Sequence, residues 1–145
     1  MKTCKEESIG RLLYVTAQTM TQHAEKVLKP YDLTVEQLQL LKNMDADTSL
    51  SQQQLCAIVQ KSAANVTRIL DRLERKAYVR REKNPEDRRS ILLFLTDRGR
   101  DLVEEVSTLL ENFSEQMTRG ISQEEQQLFF RLLYTIQDNL SGLSK

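Results

Sequence analysis

Along most of this 145-residue sequence apolar side chains recur every three or four positions, and the pattern breaks in one place, between Tyr78 and Thr96. Steps of that size put apolar groups on one side of a helix. Ser8 caps a first stripe (Ile9, Leu12, Leu13, Thr16, Met20, Ala24, Val27, Leu28) that Pro30 ends. Thr34 with Gln37 and Ser51 with Gln54 have the spacing of reciprocal capping boxes. The first opens a helix through Leu38, Leu41 and Met44, and the second a short one through Leu55, Ile58 and Val59. Ser62 caps a fourth helix, whose Val66, Ile69, Leu70, Leu73 and Ala77 fall on one side. After the interruption Thr96 caps a long helix (Leu102, Val103, Val106, Leu109, Leu110, Phe113, Met117) that closes near Gly120. Ser122 and Glu125 then open a last helix (Leu128, Phe129, Leu132, Leu133, Ile136, Leu140) that frays at Gly142.

Within the interruption, Val79–Glu82 and Ser90–Leu95 are short and β-prone, and Lys83-Asn84-Pro85-Glu86-Asp87-Arg88 between them is rich in turn formers. Pro presets φ, and Asn and Asp bond their own backbone, so the segment predicts a β-hairpin with a charged tip. Two helices joined by Gln60-Lys61-Ser62 and followed directly by a hairpin make a winged helix-turn-helix. The fold class expected is therefore mainly α with a small β-hairpin wing. An all-α bundle with an incidental hairpin explains the helices but not where the charge lies.

Formal charge is zero overall, yet residues 61–100 carry twelve basic against six acidic side chains, +6, while the rest carries nine against fifteen, −6. A neutral chain with one cationic segment can hold a polyanion locally. On the fourth helix the side opposite the core carries Lys61, Ala64, Arg68, Asp71 and Arg75, flanked by Asn65, Thr67 and Arg72. Small residues at its start (Ser62, Ala63, Ala64) let that end enter a major groove. Arg68 can reach guanine O6 and N7, Asn65 can pair with adenine, and Thr67 or Ala64 can touch a thymine methyl. Ser62 and the free N–H groups beside it suit a phosphate. For Asp71, Arg72 and Arg75 the reading is intrahelical ion pairing, such as Asp71–Arg75, or a phosphate contact. At the hairpin tip Arg88 and Arg89 offer a guanidinium to the minor groove, whose potential favours an inserted Arg. Asp87 beside them orients a neighbouring Arg or ties the turn.

These blocks resemble a known family. Leu33-Thr34-x-x-Gln37, Val66-Thr67-Arg68-Ile69-Leu70-Asp71-Arg72-Leu73-Glu74-Arg75-Lys76, Val79-x-Arg81, Asp87-x-Arg89 and Leu95-Thr96-x-x-Gly99-Arg100 are similar, in that order, to motifs of the MarR family of bacterial transcription regulators. The resemblance spans nearly the whole chain. It implies a homodimeric DNA-binding regulator, usually a repressor, with the fourth helix in the major groove and Arg89 in the minor groove. It also implies release by a small ligand, an aromatic one among the choices, held between dimer helices and winged domain. Ala77 departs from the pattern, since the family usually has Gly after this helix. A positive φ would strain Ala, so this helix end is expected to close differently. In the peroxide-sensing branch a reactive Cys sits early in the first helix, near Gly10 here, so Cys4 does not match. A thiol switch on Cys4 or Cys56 stays as an alternative.

Residues 31–99 suffice for the winged DNA-binding part of a single 145-residue unit, and residues 1–30 and 100–145 add apolar stripes that one small core cannot use. Paired across two chains, these terminal helices would form a dimer core of Leu12, Val106, Phe113, Phe129, Leu133 and Ile136, and a two-fold dimer requires an inverted-repeat operator on double-stranded DNA. The rival from another class is a winged module that binds protein. An enzyme is disfavoured: one His, no glycine-rich phosphate loop and no metal-ligand spacing leave catalysis, cofactors and metals without support. Two cysteines and no long apolar run point to a reduced, cytoplasmic, non-membrane setting.

Overall fold

The computed structural model describes residues 8–44 and 49–143; Cys4 lies outside them. The order is α1 (Ile9–Leu28), a 3-10 turn (Lys29–Tyr31), α2 (Val35–Lys42), β1 (Leu50–Ser51), α3 (Gln52–Val59), α4 (Ala63–Arg75), β2 (Val79–Lys83), β3 (Ile91–Leu95), α5 (Asp97–Met117) and α6 (Gln123–Leu143). The mainly helical fold with its small sheet is the one expected. No helix among the described residues is long and apolar enough to cross a membrane. The chain divides into two units, residues 1–111 and 112–145.

Helix starts follow the caps. Ser8 Oγ accepts from Arg11 N at 3.1 Å and Ser62 Oγ from Asn65 N at 3.3 Å. The boxes at Thr34/Gln37, Ser51/Gln54 and Ser122/Glu125 are reciprocal, each cap oxygen accepting from the third residue, whose side chain accepts from the cap N–H. This explains Gln37, a polar side chain in the core: its Oε1 satisfies Thr34 N. α1 ends at Leu28, just before Pro30 as expected, and Pro30 lies at the start of the 3-10 turn that follows, where its missing N–H costs nothing.

The sheet is antiparallel in the order β1-β3-β2, with Val79 opposite Leu95, Arg81 opposite Leu93 and Lys83 opposite Ile91. β1 had no sequence signal, because two residues cannot show a period; it adds to β3 through Leu50 opposite Leu93. Leu93 and Leu95 turn inward with Leu38, Leu41, Leu55, Val66, Leu70 and Leu73, so one core ties the helix-turn-helix to the wing.

Two positions define how α4, β2 and α5 meet. Ala77 has φ +63°, with its N–H bonded to Glu74 O at 2.9 Å and Tyr78 N to Leu73 O at 3.0 Å. That is a Schellman closure with Ala in the left-handed position, so α4 ends as if Gly were present, contrary to the expectation of a different closure. Ala77 is also exposed rather than on the core side, because the helix ends before reaching it. Thr96 Oγ1 donates to Ala77 O at 2.6 Å and accepts from Gly99 N at 3.0 Å. A Cβ on Gly99 would stand 2.2 Å from Tyr78 O, so only Gly lets α5 start this close to β2.

Candidate nucleic-acid interface

α4 presents three sides. Val66, Ile69, Leu70 and Leu73 are buried. One flank meets α3 and the wing: Gln52 Nε2 donates to Thr67 Oγ1 at 2.6 Å, and Arg81 on β2 pairs with Asp71 and stands 3.6 Å, through Nε, from Glu74 Oε2. The other flank meets the start of α2, where Lys61 Nζ is 3.1 Å from Glu36 Oε1 and Lys76 Nζ 3.2 Å from Asp32 Oδ2. These contacts hold α4 at both ends and along one side. The third side is left to solvent.

Ser62, Ala64, Asn65, Arg68 and Arg72 are exposed there. Arg68 Nη2 donates to Asn65 Oδ1 at 2.8 Å, so the guanidinium and the amide in the first turns of α4 stand together. Thr67 is half-buried, its hydroxyl already engaged with Gln52. Asp71 pairs with Arg81 and not with Arg75, which corrects the intrahelical pairing expected from their spacing. A strand ten residues away competes for the carboxylate, and sequence spacing does not show that.

At the wing tip Asp87 Oδ1 accepts from Arg89 N at 3.0 Å, Asn84 Oδ1 from Glu86 N at 3.0 Å, and Ser90 N donates to Asp87 O at 3.0 Å. Asp87 thus spends its charge on the turn and sets the backbone of Arg89. Arg88 and Arg89 are exposed.

The basic segment therefore divides by use. Arg81 neutralises Asp71 and Glu74, Arg80 sits 3.2 Å from Glu82 with its guanidinium 4.8 Å over the Phe94 ring, and Arg100 pairs with Asp97 at 3.2 Å. Arg68, Arg72, Arg75, Lys83, Arg88 and Arg89 have no carboxylate partner within 4.0 Å among the described residues. Internal pairing uses up the segment's carboxylates outside the wing turn and leaves uncompensated cations on α4 and the hairpin.

Of the residues expected at a dimer core, Leu12 and Phe129 are half exposed, and Phe113, Leu133 and Ile136 are partly so. Val106 is fully buried in the chain's own core, which corrects its assignment: it has no surface to offer a second chain. Cys56 is half-buried in α3 against that core. Sequence reasoning missed Gln52, Glu36 and Arg81 as supports of α4. Their partners lie 15, 25 and 10 residues away, and only Arg81 stood in a quoted motif.

Residues 31–90 match a family model described as MarR family. The chain is 33% identical over 111 residues to an uncharacterized HTH-type transcriptional regulator, YdgJ of Bacillus subtilis, covering 77% of this chain and 68% of that protein. It is 27% identical over 118 residues to the multiple antibiotic resistance protein MarR of Escherichia coli, covering 81% and 82%. Among solved structures, an S. aureus MepR–DNA complex superposes with TM-score 0.86 at 25% identity, over 93% of this chain and 99% of that one. A mutant E. coli MarR complexed with operator DNA gives 0.81 at 26%, over 88% and 92%.

Proposed function

The chain belongs to the MarR family of transcriptional regulators, and from that premise we propose that it is a cytoplasmic repressor that grips an inverted-repeat operator as a homodimer and lets go when a small molecule binds. That it is a DNA-binding regulator rather than an enzyme follows from the family and from DNA complexes of its structural neighbours. The finer reading rests on one observation: Asn65 and Arg68 on α4 and Arg88 and Arg89 on the wing lie on exposed surface, with no carboxylate neutralising the arginines.

In this reading the start of α4 enters the major groove. Arg68 contacts a base edge, Asn65 and Ala64 border it, and Ser62 and Arg72 take phosphates. Thr67 contributes by holding α4 on α3 through Gln52. The wing places Arg89, set by Asp87, in the adjacent minor groove, with Arg88 on the backbone. Residues 31–99 carry this work, and residues 1–30 and 100–145 the dimer.

The dimer is supported by apolar surface. No residue of α6 is buried, while Leu128, Phe129, Phe130, Leu132 and Leu140 are each 46–57% exposed; α1 likewise exposes Ile9, Leu12, Val15 and Met20. Helices that expose this much apolar surface need a partner surface, and a second copy supplies a matching one by symmetry.

Selection of bound fragments from random DNA, repeated at several salt concentrations, tests the reading by giving half-site spacing and the number of phosphates engaged. Arg68→Ala should cost about 1–3 kcal/mol at one position of the selected site and relax its specificity. Arg89→Ala should weaken binding without unfolding the protein. Parental affinity in both variants, or a selected motif lacking two-fold symmetry, would refute the assignment.

A further inference from the structure

The polar side chains of α4 between residues 65 and 68 are Asn65, Thr67 and Arg68, and they are not equally free. Thr67 is half-buried, and its hydroxyl accepts from Gln52 on α3. Asn65 and Arg68 are exposed, and Arg68 Nη2 donates to Asn65 Oδ1 at 2.8 Å. A guanidinium has hydrogens to give and no lone pair to accept with, so the amide atom it meets must be the oxygen. That bond is charge-assisted, roughly twice as strong as the neutral one adenine N6 would offer the same oxygen.

The helix itself favours the pair. Side chains on a helix lean toward its N-terminus, which carries Arg68 back over the turn where Asn65 sits. Arg72, one turn further on, repels it in the same direction. Ser62 Oγ accepts from Asn65 N at 3.3 Å and fixes that turn. No acidic residue in the first turn of α4 competes for the guanidinium, and Asp71 is engaged by Arg81.

We propose that Asn65 is a positioning residue, which holds the Arg68 guanidinium for a single guanine in the major groove and reads no adenine itself. The proposal deepens the operator-binding reading above and rests on it for the docking of α4, but not for the dimer or the effector. The hydrogens suffice. Nη2 carries one hydrogen on each of the two donor edges of a guanidinium, one edge shared with Nε and the other with Nη1. Giving one hydrogen to Asn65 leaves the other edge intact for guanine O6 and N7.

Holding an arginine changes what it costs to meet a wrong base. A free guanidinium that faces a mismatch swings to a phosphate or a neighbouring acceptor and recovers part of the loss. One tied to Asn65 must first break that bond. Specificity is the difference between right and wrong partners, so the tie raises it. Ordering a long side chain in advance is worth about three- to ten-fold in affinity, which sets the scale of the effect.

The test compares the full-length parent with Asn65→Ala, Asn65→Asp, Arg68→Ala and the Asn65→Ala/Arg68→Ala double variant. Selection from random DNA locates the position that Arg68→Ala relaxes. Anisotropy then reads the ratio of affinities for guanine and for adenine at that position. Asn65 is exposed, and its backbone N–H rather than its side chain meets Ser62, so both substitutions should keep the fold; a circular dichroism melt checks it. Asn65→Ala should lower the ratio about three- to ten-fold, and should change nothing once Arg68 is gone. Asn65→Asp keeps an acceptor and should hold most of the ratio, because its added charge repels both duplexes alike and cancels. A merely structural Asn65 would weaken both duplexes equally. A ratio unchanged in Asn65→Ala, losses that add in the double variant, or a ratio lost as fully in Asn65→Asp overturns the positioning role and leaves the repressor reading standing. So does an adenine preference elsewhere in the site that Asn65→Ala alone erases. If Arg68→Ala relaxes no position, α4 reads no base through this pair and both readings fall. If the selected site lacks two-fold symmetry while the ratios behave as expected, the dimeric operator fails and the role of Asn65 stands.

Discussion

Ala77→Gly should stabilise this protein, although the change removes a methyl group and adds backbone freedom. Ala77 holds φ +63°, where an L-residue pays about 1–2 kcal/mol because its Cβ crowds the following carbonyl. Gly pays nothing there but loses about 0.4–1 kcal/mol more backbone entropy on folding. The Ala77 methyl is exposed, so no burial is lost and the difference, about 0.5–1 kcal/mol, favours Gly. With about 2.1 cal/mol/K of unfolding entropy per residue over 145 residues, the melting temperature should rise by about 2–3 °C. Thermal and urea unfolding at one fixed protomer concentration would measure it, since dimer formation makes the midpoint concentration-dependent. Ala57→Gly is the matched control: Ala57 is exposed within α3, where the same change should cost about 1 kcal/mol. Opposite signs at the two sites would tie the effect to φ alone. A neutral or destabilising Ala77→Gly would mean that α4 does not close through a left-handed residue. Gln60, at φ +54°, should behave like Ala77, and Asp32→Gly should gain less, because Asp tolerates this region better and its bond to Lys76 would be lost.

Gly99→Ala should destabilise by about 1–3 kcal/mol or more in the same assay, since its Cβ would meet a backbone oxygen that cannot swing away. Arg81→Ala should cost about 1–2 kcal/mol, less than a fully buried ion pair because Asp71 and Glu74 are about half exposed, and should weaken operator binding by loosening the wing from α4. Asp87→Ala should weaken operator binding about five-fold through the lost bond to Arg89 N, while Asp87→Asn, which keeps an acceptor oxygen, restores most of it; equal loss in both would assign the effect to charge. Tyr31 donates to Glu105 Oε1 at 3.1 Å, and that bond above all holds its phenol above the usual 10.0. The stability so gained is full below pH 10 and disappears as pH rises through the higher folded value, so Tyr31→Phe should flatten the alkaline limb of a stability–pH curve.

What was legible in the sequence is what local interactions decide. A cap hydroxyl and its partner three residues on act within one turn, so Thr34, Ser51, Ser62 and Ser122 marked helix starts without knowledge of the fold. Apolar spacing likewise assigned Val66, Ile69, Leu70 and Leu73 to the core, because helix geometry alone puts them on one side. The turn residues from Asn84 to Asp87 marked the hairpin for the same reason. Ala77 shows where local reasoning fails. Its own preference argues against a left-handed residue, yet Thr96 Oγ1 takes its carbonyl and Gly99 seats α5 on the following strand, and those distant contacts outweigh the strain.

Charge was legible only as a total. Twelve basic residues in one segment announced a polyanion partner, but which of them are free was a question of pairing in three dimensions. Arg81 leaves the count by reaching Asp71 and Glu74 across the sheet–helix joint, Lys61 by pairing with Glu36 on α2 and Lys76 by pairing with Asp32 at the end of the 3-10 turn, and Val106 leaves the expected dimer surface by filling the core. Local chemistry wrote the elements into the sequence because each is stabilised by neighbours along the chain. The composition of the exposed surface depended on which distant groups met, and that is settled only when the chain packs.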